Sequence, residues 1–286
     1  MHRKLRLVRA LAPFVAAAAI GCAHSHGPGD ASSAPRPAPH PTARSNDSSS
    51  QSQQEAQQES QRRARTNYQL GVDYLKAGNA PQAVAALLEA IRWDPQSERT
   101  ELALSEAYRQ QGRDKEAEQH LLRALQIKPQ FHEGLLNLAA LYIQMERYEE
   151  AVPVLHRLLD DATTPAPWRA LTNLGWAEYR LGRVDEAYQH LTLAVDNRPD
   201  YWPARLDLGI LEAERGNRSE AIGQFQHVLE RNPGPLAEAE ARFRLAEQLL
   251  QQGDRQGARR QLTTASGLEP SGPWSKRSAE TLKTLE

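Results

Sequence analysis

The sequence predicts an all-α solenoid built from helix–turn–helix units. Three observations carry that prediction. Leucine, a small residue, glycine, alanine, leucine and proline return in the same order about every 34 residues from residue 62 to 272. Within each return the alanine and the second leucine stand four residues apart, which places them on one face of a helix. Ala, Leu, Gln, Glu and Arg dominate the composition and aromatics make up only 6%, a balance that favours helix.

Each column of the repeat has a mechanical reason. Leu70, Leu104, Leu138, Leu174, Leu208 and Leu245 are followed by Gly71, Ser105, Ala139, Gly175, Gly209 and Ala246. The leucine and the small residue share a face of a first helix, and the small one admits a second helix at close range. Gly78, Gly112, Gly182, Gly216 and Gly253 then stop the first helix, because glycine accepts a left-handed backbone. Asn79, Asp114 and Asp254 follow such a glycine and can cap the next helix. Ala83, Ala117, Ala151, Ala187, Ala221 and Ala258 pair with Leu87, Leu121, Leu155, Leu191, Phe225 and Leu262 as the buried stripe of the second helix. Pro95, Pro129, Pro199, Pro233 and Pro270 cannot continue a helix and turn the chain to the next unit.

A 34-residue helical unit of this pattern resembles the tetratricopeptide repeat (TPR). The resemblance covers six units, about 64–97, 98–131, 132–165, 168–201, 202–235 and 239–272. It implies a right-handed superhelix, closed by a capping helix over 273–286. Unit three departs from the pattern: Glu146 replaces its glycine and Thr163 its proline, and two extra residues follow. A slight break in the solenoid is expected near 160–167. The aromatic column Tyr74, Tyr108, Tyr142 becomes Glu178, Glu212, Leu249 in the later units.

The chain before the repeats has a different character. His2, Arg3, Lys4, Arg6 and Arg9 precede an apolar run from Ala10 to Ile20 that only Pro13 interrupts. This is the layout of a secretory signal, and the run is too short to span a bilayer, which takes about 20 apolar residues. It ends in Ala19-Ile20-Gly21-Cys22, which holds the single cysteine of the chain. This resembles the bacterial lipobox, with Ala19 where leucine is usual. The resemblance implies a signal peptide over 1–21, acyl chains on Cys22, and, with Ala23 next, an outer-membrane address on the periplasmic face. One acyl chain holds only marginally and several hold firmly. Loss of 1–21 leaves 31 basic against 36 acidic residues, a net −5, so the body has no electrostatic pull toward anionic lipid. Residues 22–61 are rich in Ser, Pro and Gln without apolar periodicity. They are expected to form a disordered tether that enters helix near Gln53, about 35 Å end to end if fully flexible.

No catalytic signature is present: no HExxH, no GxxxxGK[ST] and no GxSxG. His120, His132, His156, His190 and His227 are dispersed over four units and read as surface or structural residues, and His24, His26 and His40 as solvated ones. Near-neutral charge argues against nucleic acid, which wants a basic face. No cofactor, metal or small-molecule substrate is expected. Protein binding is the remaining role. On the first helices a second face runs through Tyr68, Val72, Leu75, Leu102, Leu136, Ile143, Trp176, Tyr179, Leu206, Ile210, Phe243 and Leu250. These residues are expected to line an apolar groove for a partner's apolar strand or amphipathic helix. Glu106, Arg109 and Glu247 are the charged residues along it.

A lipobox, a long tether and six TPR units with an apolar groove together resemble the Tgl/PilF/PilW family of type IV pilus pilotins. The segment TPAPWRALTNLGWAEYRLGRVDEA (164–187) carries the nearest likeness. The resemblance implies an outer-membrane lipoprotein that binds secretin subunits and promotes their assembly, without catalysis. The alternative within the same class is a TPR lipoprotein scaffold that docks periplasmic or cell-wall enzymes, similar to NlpI.

Overall fold

The computed structural model describes residues 44–285. The expected signal peptide, Cys22 and the expected tether up to residue 43 lie outside the described residues. All regular structure within them is helical. α1 (Arg44–Lys76) and α2 (Ala80–Trp93) form one compact unit, which ends at Gln96. A second unit begins at Ser97 and holds α3 (Glu98–Gln110), α4 (Asp114–Ile127), α5 (His132–Gln144), α6 (Tyr148–Leu159), α7 (Pro167–Arg180) and α8 (Val184–Asn197). It continues with α9 (Trp202–Glu214), α10 (Arg218–Glu230), α11 (Pro235–Gln252), α12 (Arg255–Leu268) and α13 (Pro273–Thr284).

Helix begins at Arg44, inside the segment expected to be tether. From Thr42 to Leu70 the chain has neither Pro nor Gly, and Gln, Glu, Ala and Arg carry strong helix propensity. Residues 51–59 are exposed all round, so propensity rather than packing sustains that stretch.

The repeat columns do what their chemistry requires. Gly175 and Gly209 lie so close to their second helices that an added Cβ would stand 2.7 Å from Leu191 Cγ and from Phe225 Cε1 respectively. Leu191 and Phe225 are buried at 1% and 0% exposure. Leu208 of one unit packs on Ala187 and Leu191 of the unit before it. Leu70 is the exception in its column, at 44% exposure. Beside it Gln69 donates to Asp73 (3.0 Å) and Lys76 approaches the same carboxylate, a polar outer face of the kind that terminates a repeat array. In the second unit α13 covers the last repeat by packing on α11 and α12: Trp274 is buried at 5%, and Ser275 Oγ donates to the Ala265 carbonyl at 2.7 Å.

Gly78, Gly112, Gly182, Gly216 and Gly253 all take positive φ, from 70° to 87°. Glu146 occupies the same turn at φ 58°, so unit three keeps the geometry without the residue that suits it. A left-handed non-glycine residue is strained by roughly 1–2 kcal/mol, partly offset by the greater freedom of glycine in the unfolded chain. Glu146→Gly is therefore expected to stabilise the array by about 0.5–1 kcal/mol in urea unfolding, and Gly182→Ala to destabilise it.

The expected caps are realised unevenly. Asp254 accepts from Gly257 N at 2.7 Å, whereas Asn79 makes no side-chain cap and Asp114 is already the first residue of its helix, after Arg113. In the aromatic column Arg113 covers Tyr108 (4.6 Å) and Arg147 covers Tyr142 (4.4 Å). Where the aromatic becomes Glu212, the turn residue becomes Asn217, which donates to it at 2.6 Å. At 160–167 the two extra residues are absorbed by Ala166 at φ 55° ahead of Pro167. Asp161 accepts from Thr163 N and Oγ1 and lies 2.7 Å from His132; those bonds, Thr163 first, hold its carboxyl down at about 2. α6 still packs on α7 across this junction.

Candidate partner-binding wall

In the unit from Ser97 onward, α5, α7, α9 and α11 pack side by side as successive first helices. Their seam takes up much of the apolar face expected to line a groove. Ile143 (5%), Trp176 (9%), Leu206 (1%), Ile210 (4%) and Phe243 (3%) are buried. They are buried on helices that pack against one another, so the face open to a partner is narrower than periodicity implied. Leu102, Leu136, Tyr179 and Leu250 remain half-buried, as do Tyr68, Val72 and Leu75 on α1 in the other unit.

The wall differs along its length. α9 is buried all round from Leu206 to Glu212, because α7 and α11 both pack against it. Trp176 and Tyr179 lie together, ring centroids 5.4 Å apart, and the Tyr179 hydroxyl donates to Glu214 on α9. Burial first, then the Glu214 carboxylate, raises the Tyr179 phenol well above its ordinary range, so it stays a donor. On α11, Arg244 stacks on Trp274 at 4.8 Å and stands 3.7 Å from Glu240 and 3.8 Å from Glu247. Burial pushes the Glu247 carboxyl upward against the pull of Arg244 and Arg277.

Over α3 and α5 the wall is open. Leu102, Leu136 and Ala140 are half-buried, and Arg99, Glu133, Asn137 and Gln144 are exposed around them. Glu106 is held by Arg109 through paired bonds of 2.8 and 2.7 Å. This stretch offers apolar contact framed by donors and acceptors, which suits an amphipathic protein segment.

Sequence reasoning missed the polar links inside the units. His120 Nδ1 lies 2.6 Å from Glu101, Arg205 donates to Gln224 at 2.8 Å, and Arg242 donates to Gln261 at 2.7 Å. Each pair is 19 residues apart and joins the same two columns, so a comparison of columns two at a time would have found it. Buried Glu178 and Glu212 were visible only as departures from tyrosine.

This array of helix pairs is a protein-interaction scaffold, and the chain belongs to the tetratricopeptide-repeat family. Tetratricopeptide-repeat models match residues 74–133, 136–201, 179–239 and 239–262. Among solved structures it is similar to PilW, a widely conserved type IV pilus biogenesis factor. The two are 22% identical with a TM-score of 0.67, over 76% of this chain and 98% of that one. It is likewise similar to PilF of Pseudomonas aeruginosa, at 20% identity and a TM-score of 0.67, over 78% and 99% of the two chains. MamA of Desulfovibrio magneticus RS-1 is 21% identical with a TM-score of 0.53, over 60% and 96%. These likenesses show a shared fold. A comparison with curated proteins finds no match.

Proposed function

We propose that this chain is an outer-membrane lipoprotein that binds secretin subunits and promotes their assembly in type IV pilus biogenesis. The observation that carries the proposal is one of extent. This chain's match to PilW and PilF takes in 98% and 99% of their lengths, so the likeness runs through nearly the whole of each. Cys22, placed directly after the apolar run, would carry the acyl anchor and direct cargo to the membrane. The open wall over α3 and α5, with Leu102 and Leu136, would shield an apolar segment of a secretin monomer in transit. Binding and location suffice, and no bond is made or broken in the cargo.

The test is a deletion strain whose outer membrane is examined for secretin multimers on a gel without full denaturation. Loss of multimers with monomer still present is the expected result. Normal multimers would refute the proposal. Fatty-acid labelling of the wild type but not of Cys22→Ala is expected from the anchor; equal labelling of both would remove it.

A further inference from the structure

Two histidines that the repeat places in different units meet in space. His156 lies on α6 and His190 on α8, with ring centroids 6.2 Å apart and ring planes at 73°. His190 Nδ1 is 2.7 Å from Glu178 Oε2, and Glu178 is buried at 3% exposure. A carboxylate oxygen accepts, so Nδ1 donates, and in the neutral ring that leaves Nε2 as the acceptor nitrogen. A carboxylate behind one ring nitrogen is the arrangement that orients a metal-binding imidazole and raises its basicity.

We propose that His156 and His190 form a binding site for a divalent transition metal of the zinc class. Imidazole suits zinc and its first-row neighbours. With metal–nitrogen bonds of ~2.0–2.1 Å, two imidazoles sharing one ion hold their centroids about 5–6 Å apart. At 6.2 Å the centroids stand within about 1 Å of that separation, and the nearly perpendicular rings turn so that a nitrogen of each faces the ion. His156 is exposed and His190 half-buried, so the ion can enter from solvent. Among the described residues no third His, Cys, Asp or Glu completes the set. Water fills the remaining positions, and the ion exchanges readily.

His120 shows why the pairing matters. It too has a carboxylate behind it, Glu101 at 2.6 Å. It is buried at 8% and stacked on Tyr108 with centroids 5.1 Å apart, and it meets no second imidazole. The α6–α8 pair instead brings two rings together, one exposed and one half-buried. Between those helices the chain runs through the junction at 160–166 and through α7, so a bound ion would clamp units three and four where the repeat carries its two extra residues.

Zinc is the probe. The full chain is used with Cys22→Ala and with His2, His24, His26 and His40 replaced by alanine, so that histidines upstream of α1 do not contribute. Calorimetric titration is expected to show zinc binding that His156→Ala weakens more than about tenfold, and Glu178→Gln by roughly 10-fold or more. Zinc is also expected to raise the melting temperature of the parent and not that of His156→Ala. His156 is exposed, so this variant keeps its fold even if His190→Ala does not. The proposal is overturned if the parent binds no zinc, if His156→Ala binds it equally, or if zinc turns a monomeric parent into a dimer on sedimentation.

Discussion

Phe225→Ala is expected to cost about 3–5 kcal/mol, the range for emptying a buried aromatic site. Phe225 is 0% exposed and fills the place that leucine holds in the other second helices. Its ring lies against Gly209, where an added Cβ would stand 2.7 Å from Cε1 and 3.0 Å from Cδ1. Gly209→Ala alone should therefore cost about 1–3 kcal/mol through overpacking. Combined with Phe225→Leu, which shortens the opposing side chain, it should cost less than the sum of the two single changes. The coupling is expected within about 0.5–3 kcal/mol, as for side chains in direct contact. Urea unfolding of the four proteins measures it, and strict additivity would mean that the two residues do not oppose one another. Because each unit contacts only its neighbours, Phe225→Ala should also broaden the transition as the units on either side uncouple.

Trp176→Asp is expected to abolish cooperative unfolding of the region around α7. Trp176 is 9% exposed, its ring 5.4 Å from Tyr179, with Arg180 over it at 5.7 Å. Truncating a buried tryptophan costs about 3–5 kcal/mol, and a carboxylate put in its place adds the desolvation of a charge. Leu136→Asp, at a half-buried position on the open wall, should by contrast leave the helix content intact and weaken partner capture. Circular dichroism and thermal melts of the two variants separate the roles. A folded Trp176→Asp that fails only in binding would return Trp176 to the groove. The reverse behaviour of Leu136→Asp would place that leucine in the core.

Much of the architecture was legible because a repeat tests each inference six times. A column that is leucine in every unit, or glycine in five of six, reports a constraint that one helix alone could not. The Glu146 turn shows how far this reaches: the residue is wrong for the geometry, yet the five glycines around the array predict the positive φ it adopts. The partner-facing wall was less legible. The same periodicity that places Leu136 and Trp176 on one stripe cannot say which of them a neighbouring first helix covers. That depends on how tightly successive units pack, and burial over α9 follows from α7 and α11 reaching it together.

The sequence by itself determined the helical repeat, its turn positions, the buried faces of its second helices and the polar cover at its C-terminal end. Each of these follows from residues a few positions apart on one helix or in one turn, where local geometry decides. Only the tertiary structure decided which groove residues are seam and which are surface. Only it joined Glu101 to His120 and Arg205 to Gln224, and brought His156 on α6 within reach of His190 on α8. Those relations join residues on different helices, and the crossing and spacing of helices are set by the packing of whole side chains rather than by their order along the chain.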